Sequence, residues 1–111
     1  MMRIEVSNIA GVVKLKTGDA IAFLWDSTSI FSLIDVLRKN KIKILGGDIY
    51  TFNQHEIKIT YDSWTTKKKS LYEDSFTETV DYIQNYEKKH NENYLYGVVI
   101  EGPLGDGVVL Y

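Results

Sequence analysis

The sequence predicts an α+β domain: a mainly antiparallel sheet with two helices packed on it. Three observations carry that expectation. Apolar residues recur at helical spacing over 30–37 and again over 76–86. They alternate instead over 49–61, on either side of a polar turn. The remaining apolar residues fall in short runs punctuated by turn formers, the pattern of short strands.

Taken in order, 3–6, 12–16 and 20–25 read as strands, with Thr17-Gly18-Asp19 as the turn between the last two. The side-chain oxygens of Asp26, Ser27, Thr28 and Ser29 offer caps for a first helix. Ile30, Leu33, Ile34 and Leu37 give it one buried stripe. Arg38 and Lys39 suit the negative end of its dipole, and Asn40 can adopt the left-handed conformation that ends it. Residues 42–45 form a strand that Gly46-Gly47 is expected to break. In the hairpin that follows, matching the apolar faces sets Phe52 opposite Ile57 and Tyr50 opposite Ile59, with the turn inside 53–56. A slip of one residue would bury Glu56, so the register is well determined, and continued outward it sets Asp48 opposite Tyr61. Residues 62–69 read as a polar connection. Ser70 and Glu73 have the spacing of a capping box for a second helix, whose buried stripe is Phe76, Thr79, Val80, Ile83 and Tyr86. Residues 94–100 read as a central or near-central strand, 102–107 as a turn and 108–111 as a final edge strand.

A chain of 111 residues fits one domain, taken as 1–111. Its eight Tyr, four Phe and two Trp let so short a chain bury much surface per ordered residue. It has no apolar run long enough to span a bilayer, and its start lacks the features of a secretory signal. With no Cys, disulfides, thiol catalysis and cysteine zinc sites are excluded, and the expected location is the cytoplasm. Charge is divided unevenly. Residues 1–70 hold eleven Lys/Arg against seven Asp/Glu, whereas 71–111 hold two against eight. An acidic half of this kind attracts a basic partner if the acids share a face, and otherwise is ordinary solvated surface.

Nothing in the sequence assembles a catalytic set. His55 falls in a turn and His90 at a helix end, neither with neighbours that would orient a base or complete a metal site. Gly46-Gly47-Asp48 matches the start of the signature loop of cyclic-dinucleotide synthases but not its continuation, so a bulge or close backbone crossing is expected there. Lys67-Lys68-Lys69 is too short a basic run for a nucleic-acid footprint. No catalytic residue, metal or cofactor is therefore assigned, and neither nucleic acid nor membrane is expected as a partner. Two features suit a protein partner. Residues 71–87 hold Glu73, Asp74, Glu78, Asp81 and Glu87 without one Lys or Arg; the helix dipole accommodates the early acids, but no base stands at i+4. Trp64 lies where the chain is expected to leave the sheet, either covering the core edge or anchoring an interface.

Three segments together resemble a known family. Leu33-Ile34-Asp35-Val36-Leu37, then Ile42 through Gly46-Gly47-Asp48-Ile49-Tyr50, then Tyr61-Asp62-Ser63-Trp64 are similar in order and kind to bacterial polymorphic-toxin immunity proteins, specifically immunity protein family forty. The likeness covers roughly 28–87; the strands before Asp26 and the tail after Ile100 fall outside it. It implies a non-enzymatic protein that binds and neutralises a cognate toxin one to one. On that reading Trp64, Tyr72, Glu73, Asp74, Glu78 and Asp81 form the toxin-binding surface, and Gly46, Gly47, Asp48, Tyr61 and Asp62 are the family-motif positions. A competing reading is a small ligand-binding or enzymatic domain in which Asp48 and Asp62 converge as paired carboxylates. A third is self-association through an exposed edge strand at 108–111.

Overall fold

The hairpin positions the rest of the molecule. In the computed structural model, which describes residues 2–111, β4 (Lys43–Asn53) and β5 (Glu56–Thr65) run antiparallel. Phe52 faces Ile57 and Tyr50 faces Ile59, as the apolar pattern requires. Gln54 and His55 close the hairpin with φ of 50° and 66°. Two left-handed residues in succession give the loop the twist of its strands. β6 (Tyr94–Glu101) pairs antiparallel on the other side of β4, giving the order β5-β4-β6. The short hairpin of β2 (Val13–Thr17) and β3 (Ala20–Leu24) joins β6 through one bridge. There Trp25 and Tyr96 exchange backbone hydrogen bonds of 3.0 and 2.7 Å. β1 (Met2–Ile4) and β7 (Val108–Leu110) form a separate parallel pair. The edge strand expected at 108–111 exists over 108–110, paired with β1 on one side only, and the Tyr111 carbonyl accepts from the amides of Val6 and Ser7.

α1 (Ser29–Lys39) and α2 (Tyr72–Lys89) deliver their apolar stripes to one cluster with Ile44, Ile49 and Tyr96, so both cover the same face of the sheet. Trp25, Leu33, Leu37, Ile42, Ile44, Ile49 and Tyr96 are fully buried there. Among the described residues no helix is long and apolar enough to cross a membrane.

The start of α1 is capped as expected, and the other helix ends differ; at α2 the capping groups are taken by other partners. Asp26 caps α1: its Oδ1 accepts the amides of Thr28 and Ser29 at 2.9 and 2.7 Å, while Ser29 Oγ accepts the Asp26 amide at 3.0 Å. The left-handed residue after α1 is Lys41 (φ 55°), not Asn40, whose side chain donates instead to the Val36 carbonyl at 2.9 Å. The capping box of α2 does not form. Ser70 donates to Glu78, Glu73 turns to Arg38, and Leu71 is the residue at the cap. Nor does Gly46-Gly47 end a strand: β4 runs through it with a bulge, and β5 continues to Thr65 where a polar connection was expected.

Candidate functional site

Trp64 belongs to the core. It sits in β5 with only 7% of its surface exposed, and its indole N–H donates to Thr79 Oγ1 of α2 at 3.2 Å. The ring stacks on Tyr82 at 5.5 Å and meets the edge of Tyr96 at 6.2 Å. Of the two readings of Trp64, the core one holds and its place in the toxin-binding surface is corrected: β5 extends four residues further than its alternation suggested, and carries the indole under α2. The same packing explains Gly46-Gly47. A Cβ on Gly47 would run into the Gly97 carbonyl oxygen and the indole ring, and one on Gly46 into the Trp64 carbonyl. The glycine pair is where a tryptophan crosses the middle strand.

The acids of α2 divide into engaged and free. Glu73 accepts from Arg38 Nε at 2.7 Å, and the same guanidinium bonds Asp35 at 3.0 Å and lies 5.5 Å from the Phe76 ring centre. The hydrogen bond to Glu73 and the two nearby carboxylates hold the guanidinium more firmly protonated than usual. Glu78 accepts from the Ser70 hydroxyl and, at 3.1 Å, from the Lys67 amide. The Ser70 hydroxyl first, then that amide and the charges of Lys67 and Lys43, pull its carboxyl below the ordinary range. Asp74 and Asp81 are exposed and have no side-chain hydrogen bond or ion pair among the described residues. Seven residues apart, they stand on one line of the helix. Tyr72 is partly buried against Phe76, ring centres 6.0 Å apart. The base that answers Glu73 is not at i+4 along α2 but is Arg38, which arrives from α1 and which spacing within the helix does not reveal.

The family-motif positions separate in the same way. Asp62 accepts the Tyr86 hydroxyl at 2.7 Å, on the helix side of the sheet. Burial, and then this bond, push the Tyr86 phenol up to about 12. Asp48 pairs with Ser63, not with Tyr61 as the uninterrupted register required. Between the pairs Tyr50↔Ile59 and Asp48↔Ser63, β5 spends two residues more than β4. Thr60 stabilises that bulge, donating its hydroxyl to the Ile49 carbonyl at 2.8 Å and accepting the Asp62 amide at 3.1 Å. Tyr61 is left at φ 69° with 87% of its surface exposed. Ser63 alternates with Asp62 along β5, so Asp48 lies on the face opposite Asp62 and the two carboxylates do not converge. The paired-carboxylate reading is thereby corrected: among the described residues no cluster of acids or histidines could hold a metal ion. His90 is exposed and stacks on Tyr86 at 4.1 Å. A cleft of about 390 Å³ between α1 and α2 is mainly apolar, lined by Ile30, Phe31, Val80 and Ile83.

Compared with known proteins, the chain matches a family model described as Immunity protein 40 over residues 14–100, from β2 into β6. No curated protein and no solved structure matches it.

Proposed function

This chain belongs to the immunity protein 40 family, and from that premise we propose that it neutralises a cognate bacterial toxin by stoichiometric protein–protein contact in the cytoplasm. The observation that carries this reading is the extent of the match, which takes in both helices and nearly all of the β5-β4-β6 sheet. Neutralisation requires only that a preformed surface cover or distort the toxin's working site, and no chemistry of its own.

The acids of α2 supply electrostatic attraction in this proposal, with Asp74 and Asp81 contributing most because neither is in an ion pair among the described residues. Glu73 and Glu78 contribute less, each held by an internal donor, and Tyr72 offers a partly exposed ring beside them. A basic toxin surface would be drawn to this line of charge. The purified chain is titrated into the toxin domain encoded beside it, by calorimetry and stopped flow. One-to-one binding is expected. Joint reversal of Asp74 and Asp81 to Lys should slow association about tenfold at low salt and flatten its salt dependence. If the wild-type chain does not bind, toxin neutralisation fails as a reading. If both reversals leave the association rate and its salt dependence intact, α2 takes no part in attracting the toxin.

A further inference from the structure

The sheet face turned away from the helices is open toward β5. Its members follow from two fixed points, because side chains alternate across a strand. Ile49 is buried in the helix-side core and Trp64 reaches α2. Their neighbours Asp48, Tyr50 and Ser63 therefore point the other way, as do Ile59, paired with Tyr50, and Val99 on β6, with Gly97 beside Asp48 leaving that face bare. The Tyr50 ring lies over Gly97, 3.5 Å from where a Cβ would stand, with Leu24 on the same glycine at 3.2 Å. Away from Leu24 the cover ends: Ile59 is 45% and Val99 52% exposed. Asp48 stands between them on β4, exposed, with no hydrogen-bond or ion-pair partner among the described residues. Burial first, and then the Asp48 charge, push the Tyr50 phenol above its ordinary value.

Tyr61, at the β5 edge of this face, adds an independent observation. Its left-handed backbone disfavours any residue with a Cβ, and its exposed ring gains nothing inside the protein to offset that. Backbone strain that persists under an exposed aromatic ring argues for a role outside the fold.

We infer that the open sheet face, from Val99 and Asp48 across Ile59 to Tyr61, is where the toxin docks, and that it receives a lysine or arginine set among apolar side chains of the toxin. This rests on the reading of the chain as a toxin-binding protein. A carboxylate closed off among apolar groups needs an opposite charge, so an uncharged apolar partner would leave Asp48 stranded. A second copy of this chain laid face to face about a two-fold axis near Asp48 would bring one Asp48 toward the other. The bulge at Thr60-Tyr61 interrupts the free edge of β5, so contact is made through side chains rather than by an added strand. β5 lies between this face and α2, which packs on it through Tyr82 and Tyr86. The free acids Asp74 and Asp81 lie on the helix side of the sheet, Asp81 in a groove beside α1, so they steer the approach of a basic toxin rather than touch it once docked.

The test measures equilibrium binding of the intact chain and its variants to the toxin domain encoded beside it, with melting temperature as the control for folding. Asp48→Lys should weaken binding about a hundredfold and Asp48→Asn about tenfold, the latter with a shallower salt dependence. Tyr61→Gly should weaken binding roughly thirtyfold while raising the melting temperature, because glycine accepts the left-handed backbone. A merely structural Tyr61 would move the melting temperature and leave affinity alone. Should Asp48→Lys fail to fold, Asp48→Asn and Tyr61→Gly carry the decision. Affinities for those two within about twofold of wild type would overturn this assignment and leave toxin binding standing. No binding by the wild-type chain would overturn the functional reading and this assignment with it.

Discussion

Replacing Gly47 by Ala tests the packing that holds the sheet to α2. The added methyl would stand far inside van der Waals contact with the Gly97 carbonyl oxygen on β6 and 2.8 Å from Trp64 Cζ3. Neither neighbour can give way cheaply. The carbonyl belongs to the β4–β6 ladder, and the indole is held by Thr79 at 3.2 Å and by the stacked Tyr82 ring. Overpacking of a close-packed interior costs about 1–3 kcal/mol even where side chains can shift, so about 3 kcal/mol or more is expected here. For a chain of this size that lowers the melting temperature by roughly 10–15 °C. Two other glycines provide the scale. Gly18, at φ 61° with nothing within 4 Å, should cost about 1 kcal/mol on becoming Ala, through backbone strain alone. Gly107 has open space and no such φ, and its Ala variant should stay within about 0.5 kcal/mol of wild type. Urea unfolding of the three variants at constant m-value measures the series. If Gly47→Ala proves no less stable than Gly18→Ala, the close crossing of Trp64 over β4 is not what that position requires.

Trp64→Phe removes the indole donor and leaves the fully buried Thr79 hydroxyl without that partner. A loss of about 2–3 kcal/mol is expected by urea unfolding. Toxin affinity per folded molecule should be unchanged; a large loss of affinity at full folding would return Trp64 to the interface. Alkaline unfolding should report the buried phenols. Tyr86 is pushed from 10.0 to about 12 by burial and then by Asp62, and Tyr96 is pushed up by burial and then by Glu87. A raised phenol favours the fold fully below the unfolded value. Stability should therefore hold up to about pH 10 and fall as pH rises further, by at most about 1.4 kcal/mol per pH unit for each such group. Tyr86→Phe should make that decline shallower between pH 10 and 12, and an unchanged slope would show that Tyr86 does not contribute.

Local chemistry carried the sequence reading where neighbours along the chain decide the outcome. The hairpin register near its turn was legible because a slip would bury Glu56, and the helical stripes because 3.6-residue spacing puts Ile30, Leu33, Ile34 and Leu37 on one side. The division of α2 into free and engaged acids was not legible. The base that answers Glu73 is Arg38, thirty-five positions away, and the groups that answer Glu78 lie in the preceding loop. Spacing rules along a helix cannot see either.

The sequence by itself determined the α+β class, both helices, the pairing of Tyr50 with Ile59, and the family likeness. Each rests on periodicity or on residue types close together in the chain. Only the tertiary structure decided that Trp64 is core, that Asp48 pairs with Ser63, and that Tyr61 is turned outward. All three follow from one bulge and one longer strand. In a strand, two additional residues change every partner beyond them. Whether β5 accommodates them depends on Thr60 finding the Ile49 carbonyl across the ladder, a contact made only when the strands are already together.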